Sequence, residues 1–313
     1  MRGVHSIGRR LLQMVPIIFG ITVVSFVLIR IVPGDPATQI LGNHYTEAAA
    51  EQIRDRLGLN DSILVQYLHF LKSAVTGSFG YSYTLNSSVG DLITSGLEPT
   101  LFLVTVAGIF TALISVPMGL ISGLRRGGII DQSTRVFLLI GFAFPGFLLG
   151  VLLILWFGVK VPIFPINGYG DGFTDHVRHL ILPAITLAIP FSTVLVRSLR
   201  ASVIETLEAD YVTTALLKGI SWPRVVTRHI LRNAGMSIVV VFGVNLAFLV
   251  GGTVVIENVF SIPGLGSLLV NSVSTRDYPV VQGLTLVFAL FVLFVNLFTD
   301  IVHIAIDPRL AQD

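Results

Sequence analysis

The sequence predicts an all-α integral membrane protein, with six transmembrane helices, a folded cytoplasmic loop between the fourth and fifth, and a structured extracytoplasmic segment between the first two. Three observations carry this. Of the 313 residues, 53% are apolar and only 12% charged, against about 25% charged in an ordinary soluble domain. Mean hydropathy is +0.84. Apolar stretches recur at lengths that, at about 1.5 Å rise per residue, cross a hydrocarbon core of about 30 Å as helices.

The spans are expected near Leu11 to Val32, Pro99 to Leu124, Ser133 to Val159, Leu180 to Val196, Gly235 to Ile256 and Val281 to Ile306. The chain then divides into an N-terminus (1–10), a first span (11–32), an extracytoplasmic segment (33–98), a five-helix core (99–306) carrying the loop 197–233, and a C-terminus (307–313). The first stretch follows Arg2, Arg9 and Arg10 as a signal peptide's would, but its apolar run is too long and no small-x-small cleavage site follows "LIRIVPGDP". It reads as a retained anchor. Arg125, Arg126, Arg135, Arg197, Arg200, Lys218, Arg224, Arg228, Arg232 and Arg309 lie with the terminal arginines at the termini or in even-numbered gaps. Arg54, Arg56 and Lys72 lie in a long loop that the charge rule discounts, so both termini are expected in the cytoplasm.

Composition also excludes classes. A formal charge of +2, without a basic run interleaved with aromatics, gives no footprint for nucleic acid. The absence of cysteine excludes a disulfide framework, a cysteine-based zinc site and a thiol nucleophile. Neither H-E-x-x-H nor G-x-S-x-G occurs, so intramembrane catalysis has no motif to rest on. Glu257 and Asp300 lie towards span ends, while span centres carry the neutral Asn245, Thr253 and Asn296, which argues against proton coupling. No filter-like sequence suggests a channel. In the loop Lys160 to Arg178, the scattered Asp171, Asp175, His176 and His179 lack metal-site spacing, and no metal is expected.

Within the extracytoplasmic segment, "TEAAAEQIRDRLG" predicts a short helix capped by Thr46, with Glu47 in the first turn and Gly58 at the left-handed C-terminal position. "GSFGYSYTLNSSVGDLI" reads as turns leading to an interfacial segment. Pro16, Pro117, Pro145 with Gly146, Pro183 and Pro190 free backbone carbonyls and predict kinked spans. The pairs Gly119/Gly123 and Gly146/Gly150 are candidates for close helix approach.

The basic run Arg197 to Asn233 has its own order. Val203, Leu207, Tyr211, Ala215 and Gly219 recur at intervals of four and predict one helical stripe, with Thr206 as N-cap and Gly219 closing the C-terminus. Ser221 and Pro223 start a second helix that runs into the fifth span. Two short helices joined at Gly219-Ile220 make a knuckle. Its periodicity fits a helix lying on lipid headgroups as well as one gripped by a moving partner.

"LRASVIETLEADYVTTALLKGISWPRVVTRHILRNA" resembles the ATPase-docking loop in transmembrane permease subunits of ATP-binding-cassette importers for dipeptides and oligopeptides. Asp210, Tyr211, Ala215, Lys218, Gly219, His229, Arg232 and Asn233 fall on pattern positions, whereas Thr213 and Leu216 stand where that family usually shows arginine. "VPGDPA", "EPTL", "FPGFLLGVLLILWF", "LILPAITLAIP", "IENVFSIPGLGSLL", "RDYPVVQG" and "DPRL" follow in the same order as in that family. "GSFG" departs where an acid usually follows the first glycine, and His303 where tyrosine is common.

The resemblance implies a permease in the bacterial cytoplasmic (inner) membrane that forms half of a translocation path for di- or oligopeptides. Nickel chelates or a glutathione-like peptide are alternative cargoes, and ion-coupled secondary transport is the rival mechanism. Implied partners are a second permease subunit, two nucleotide-binding ATPase domains and an extracytoplasmic substrate-binding protein. The chain is not expected to be an enzyme or to hold a cofactor. It has no G-x-x-x-x-G-K-[ST] cradle, so ATP and magnesium belong to the ATPases. Docking and coupling are expected at Glu208, Ala209, Asp210, Tyr211, Thr213, Ala215, Leu216, Lys218 and Gly219, on a helix spanning 203–220. Glu257, Phe260, Pro263 and Gly264 read either as an outer gate or as a re-entrant cap, and Pro145 and Gly146 as a kink near the path.

Overall fold

In the computed structural model, residues 2–31, 36–41, 45–56 and 58–306 are described. They are almost wholly helical. In chain order the elements are α1 (Arg2–Ile31), α2 (Pro36–Leu41), α3 (Glu47–Arg56), α4 (Ile63–Thr76), β1 (Tyr81–Ser82), β2 (Ser87–Ser88), α5 (Val89–Leu124), α6 (Ile129–Ala143) and α7 (Gly146–Leu153). There follow α8 (Phe173–Leu207), α9 (Asp210–Leu217), α10 (Trp222–Val225), α11 (Leu231–Val259), α12 (Leu265–Ser274) and α13 (Tyr278–Ile306). Two π-helical stretches, Ile154–Lys160 and Val226–Ile230, extend α7 and join α10 to α11. Most of the "VPGDPA" and all of the "DPRL" motifs, with Arg309, lie outside the described residues.

Among the described residues, 4 helices are long and apolar enough to cross a membrane, or up to 5 if a bent pair counts as one span. The sequence predicts six. The described part of α1 contributes Leu12–Val27 as a shorter apolar helix. The third stretch, expected as one helix, breaks between α6 and α7 with a bend of 102°. Pro145 is the cause: it has no N–H to continue the ladder, Phe144 is extended at φ −85°, ψ 123°, and Pro145 restarts the chain as the N-cap of α7. Other expected boundaries move outward. Helix α5 begins at Val89 rather than Pro99, and α8 runs well past both ends of Leu180 to Val196. The polar ends of these helices are held by tertiary packing, which the apolar pattern alone does not register.

The described residues fall into two compact units. One contains Leu101–Ile262 and the turns of α13 from Phe294; the other contains the described parts of Arg9–Thr100 with Pro263–Leu293. In the second unit, Thr46 caps α3 through Ala49 N–H (3.3 Å), and Gly58 closes the turn beyond it at φ 64°. Helix α4 packs along α1, with Tyr67 edge-on to Phe26 and its hydroxyl 2.8 Å from that of Thr22. The expected turns after Gly77 form the two-residue antiparallel hairpin β1–β2, whose buried Ser82 hydroxyl donates to Asp277. Val89, Ile93, Leu265, Val280 and Leu284 make this unit's core.

The first unit is built on α8. One core gathers Leu103, Leu180, Leu187, Leu249, Ile256, Phe260 and Ile262; another gathers Leu199, Val203, Val212, Ala215, Val225, Ile230 and Ala234. The α5–α8 seam is tight enough to require glycine. A Cβ on Gly119 would stand 2.9 Å from Leu199, and one on Gly123 2.6 Å from Val203, closer than side chains can pack. Of the other small pair, Gly150 abuts Phe260 while Gly146 meets nothing.

Candidate docking site

The knuckle is assembled from three helix ends over the second core. Helix α8 continues through Thr206, which is a buried interior residue rather than an N-cap. It stops at Glu208, whose N–H still bonds Ile204 O (3.2 Å). Ala209 turns extended at φ −76°, ψ 139°, and α9 begins at Asp210. The single helix expected over 203–220 is therefore two helices with a corner at Glu208-Ala209. The intervals of four run straight through the corner, because Leu207 and Ala215 both face the core from different helices.

Helix α9 ends in a Schellman motif. Ile220 N–H bonds Ala215 O at 3.2 Å and Gly219 N–H bonds Leu216 O at 2.9 Å, with Gly219 at φ 76°. This left-handed position costs a residue with a Cβ about 1–2 kcal/mol. Ile220 is thereby returned to the core beside Ala215. Ser221 occupies the N-cap position of α10, with Pro223 in its first turn.

The outward side of the knuckle is apolar. Val212 and Ala215 are buried, while Leu217 is 84% exposed and Tyr211, Leu216 and Trp222 are exposed to lesser degrees. Asp210, Thr213, Lys218 and Gly219 surround them, also exposed. Two further pattern residues act locally. Asn233 Nδ2 donates to the Tyr211 hydroxyl (2.7 Å), and the His229 ring lies 6.3 Å from that of Tyr211. They tie α9 to the start of α11.

A buried carboxylate beside this knuckle escapes sequence reasoning. Asp131, in the first turn of α6, has no exposed surface. Its Oδ1 accepts from Ser122 Oγ (2.7 Å) and Arg200 Nε (2.6 Å); its Oδ2 accepts from Gly127 N–H (3.0 Å), Arg135 (2.9 Å) and the second arm of Arg200 (3.0 Å). Asp131 and Arg135, four apart on α6, form an ordinary i,i+4 pair, a spacing that does not distinguish a buried carboxylate from a surface one. Arg200, 69 residues away, gave no local signal.

The other site residues are placed as follows. Glu257 and Phe260 are buried at the end of α11, with the Phe260 ring against Gly150 and its carbonyl accepting Gly168 N–H (2.9 Å). Ser261 takes φ 52° to close the turn. Pro263 and Gly264 open the second unit, where Gly264 caps α12 and Leu265 N–H donates to Thr100 Oγ1 (2.8 Å). In the first turns of α8, His176 stacks on Tyr169 of the preceding loop (3.9 Å, 14°) and bonds its carbonyl, while His179 bonds Asp175 O. Among the described residues no group of three His, Asp or Glu is placed to hold a metal.

The MetNI methionine ABC transporter in inward-facing form superposes with TM-score 0.54 at 18% identity, over 69% of this chain and 96% of that one. An amino acid ABC transporter crystallised with histidines gives TM-score 0.54 at 15% identity, over 68% and 93%. These likenesses establish the fold.

Residues 115–312 match the family described as binding-protein-dependent transport system inner membrane component, and residues 4–104 its N-terminal counterpart. The chain belongs to this family, and is thus a multi-pass inner membrane component of a transport system. It is 39% identical over 308 residues to the oligopeptide transport system permease protein AppB of Bacillus subtilis (strain 168), covering 96% of this chain and 98% of that one. It is 37% identical to a probable peptide ABC transporter permease protein, y4tP, of Sinorhizobium fredii, over 96% and 97%. It is also 37% identical to the glutathione transport system permease protein GsiC of Escherichia coli (strain K12), again over 96% and 97%.

Proposed function

We propose that this chain is the permease subunit of an ATP-driven importer for peptides, one of two permease subunits around a shared path, with α9 as the helix on which an ATPase subunit docks. The single observation that carries the docking assignment is the two-sidedness of α9. Its inner side is held in the core by Val212, Ala215 and the Schellman closure, while its outer side presents Tyr211, Leu216 and Leu217. A helix so held passes displacement to α8 and α11 as a body. Thr213 and Leu216, in place of arginine, make this contact more apolar than the family pattern.

Six spans with both termini cytoplasmic follow if α1 crosses and α6 with α7 forms one broken span; the basic residues of the knuckle support that orientation. ATP and magnesium are then held by the ATPase partners, and an external binding protein delivers cargo. Peptide is favoured as cargo by the relatives named for oligopeptides and glutathione. The burial of Phe260 favours the cap over the gate for the Glu257 to Gly264 turn.

The test is a mild-detergent pull-down of the tagged chain from its native membrane, repeated with Leu217→Asp. A second permease and a nucleotide-binding protein are expected with the unaltered chain, the latter lost from the variant. A chain recovered alone at every stringency would return the knuckle to a lipid-surface helix and make ion-coupled transport the leading reading.

A further inference from the structure

We propose that Asp131 is the positioning residue that locks α5, α6 and α8 into one lever, so that displacement of the knuckle becomes movement of the spans rather than slippage of α8. This rests on the docking reading above. The geometry is specific. Five donors from four places converge on one fully buried carboxylate: Ser122 on α5, Gly127 in the α5–α6 turn, Arg135 on α6, and both arms of Arg200 on α8. All its acceptor positions are occupied. Arg200 lies two turns before the corner at Glu208, where force from α9 would enter.

The neighbouring contacts explain why such a lock is needed. Leu199 and Val203 press directly on Gly119 and Gly123, and Thr193 on Gly141. Glycine seams permit close approach but present no side chain to resist sliding along the helix axis. Arg126 on the α5–α6 turn reaches Glu208 at 2.7 Å, but both side chains are well over half exposed, and a solvated pair of that kind holds little. Resistance to sliding therefore falls on the buried, bidentate pair of Asp131 and Arg200, whose geometry is directional.

The experiment uses the complete transporter reconstituted in proteoliposomes with its binding protein, measuring peptide uptake and ATP hydrolysis together. Asp131→Asn keeps the shape but cannot accept from all five donors. Uptake per ATP is expected to fall about tenfold, within the range of ordinary coupling free energies, while the complex assembles and hydrolyses ATP. Because this chain has no cysteine, R126C/E205C, at two positions that line one surface cleft, can then be bridged by a short bis-maleimide in the Asp131→Asn background with cysteine-free partners. Bridging is expected to restore uptake per ATP, which a residue needed only for folding would not show. Unchanged uptake per ATP, or no recovery on bridging, would overturn the proposal. Should Asp131→Asn fail to assemble, Arg200→Lys decides: it keeps the charge and loses the bidentate grip, and normal coupling there also overturns it. Failure of the docking reading is separately visible, since Leu217→Asp would then leave ATPase retention intact.

Discussion

Replacing Gly219 by proline tests the knuckle at its most constrained point. Gly219 sits at φ 76° and donates its N–H to Leu216 O. Proline removes that donor and fixes φ near −65°, so Ile220 N–H also swings away from Ala215 O. Two hydrogen bonds at about 1 kcal/mol each and part of the burial of Ile220, about 1–2 kcal/mol, give a local cost of about 3–4 kcal/mol. That is enough to detach the end of an eight-residue helix, while the distant core around Leu103 and Phe260 is untouched. The assembled transporter is therefore expected to keep its subunits but lose uptake per ATP, measured in proteoliposomes. Gly219→Asn, a residue that tolerates the left-handed region, is expected to stay near the unaltered value. Unaltered uptake per ATP in Gly219→Pro would refute the reasoning, because it would mean that α9 transmits nothing.

Other expectations are narrower. Gly123→Ala should destabilise the detergent-solubilised protein by about 1–3 kcal/mol through overpacking, and Val203→Ala added to it should recover part of the lost thermal stability. Tyr211→Phe, which removes the acceptor of Asn233, should cost about 0.5–1.5 kcal/mol and loosen α9, read as faster cross-linking of cysteines placed there. Ser261→Gly should raise thermal stability by about 1 kcal/mol by relieving a left-handed non-glycine; an unchanged melting temperature would place the strain elsewhere.

Legibility from sequence followed the range of the interaction. Caps and glycines are local, so Thr46, Gly58, Gly219 and Ser221 could be read from their neighbours. The break at Pro145 was foreseeable in place but not in size, because the angle depends on what α7 packs against. Thr206 misled for a physical reason: a hydroxyl before acids suits an N-cap, yet the side chain is buried inside α8 by contacts that sequence spacing does not encode. The lock around Asp131 was hidden altogether, since its decisive partner is on another helix. Phe260, between Val259 and Ser261 in a turn-forming stretch, turned out to be a core residue because Gly150 makes room for its ring.

The π-helical turn Val226–Ile230 has a consequence for register. Leu231 N–H bonds Val226 O, so one turn holds an extra residue relative to an α-helix. The bulge takes up that residue, so α10 and α11 keep their facing and Asn233 still reaches Tyr211. Deleting one residue there would turn the wide turn into an ordinary α turn with the flanks held; deleting a second, with no bulge left to take it up, would rotate α11 by about 100° and carry Asn233 away from Tyr211. The stretch between Pro223 and Asn233 thus holds one spare residue of length, while Val225 and Ile230 within it are fixed by burial.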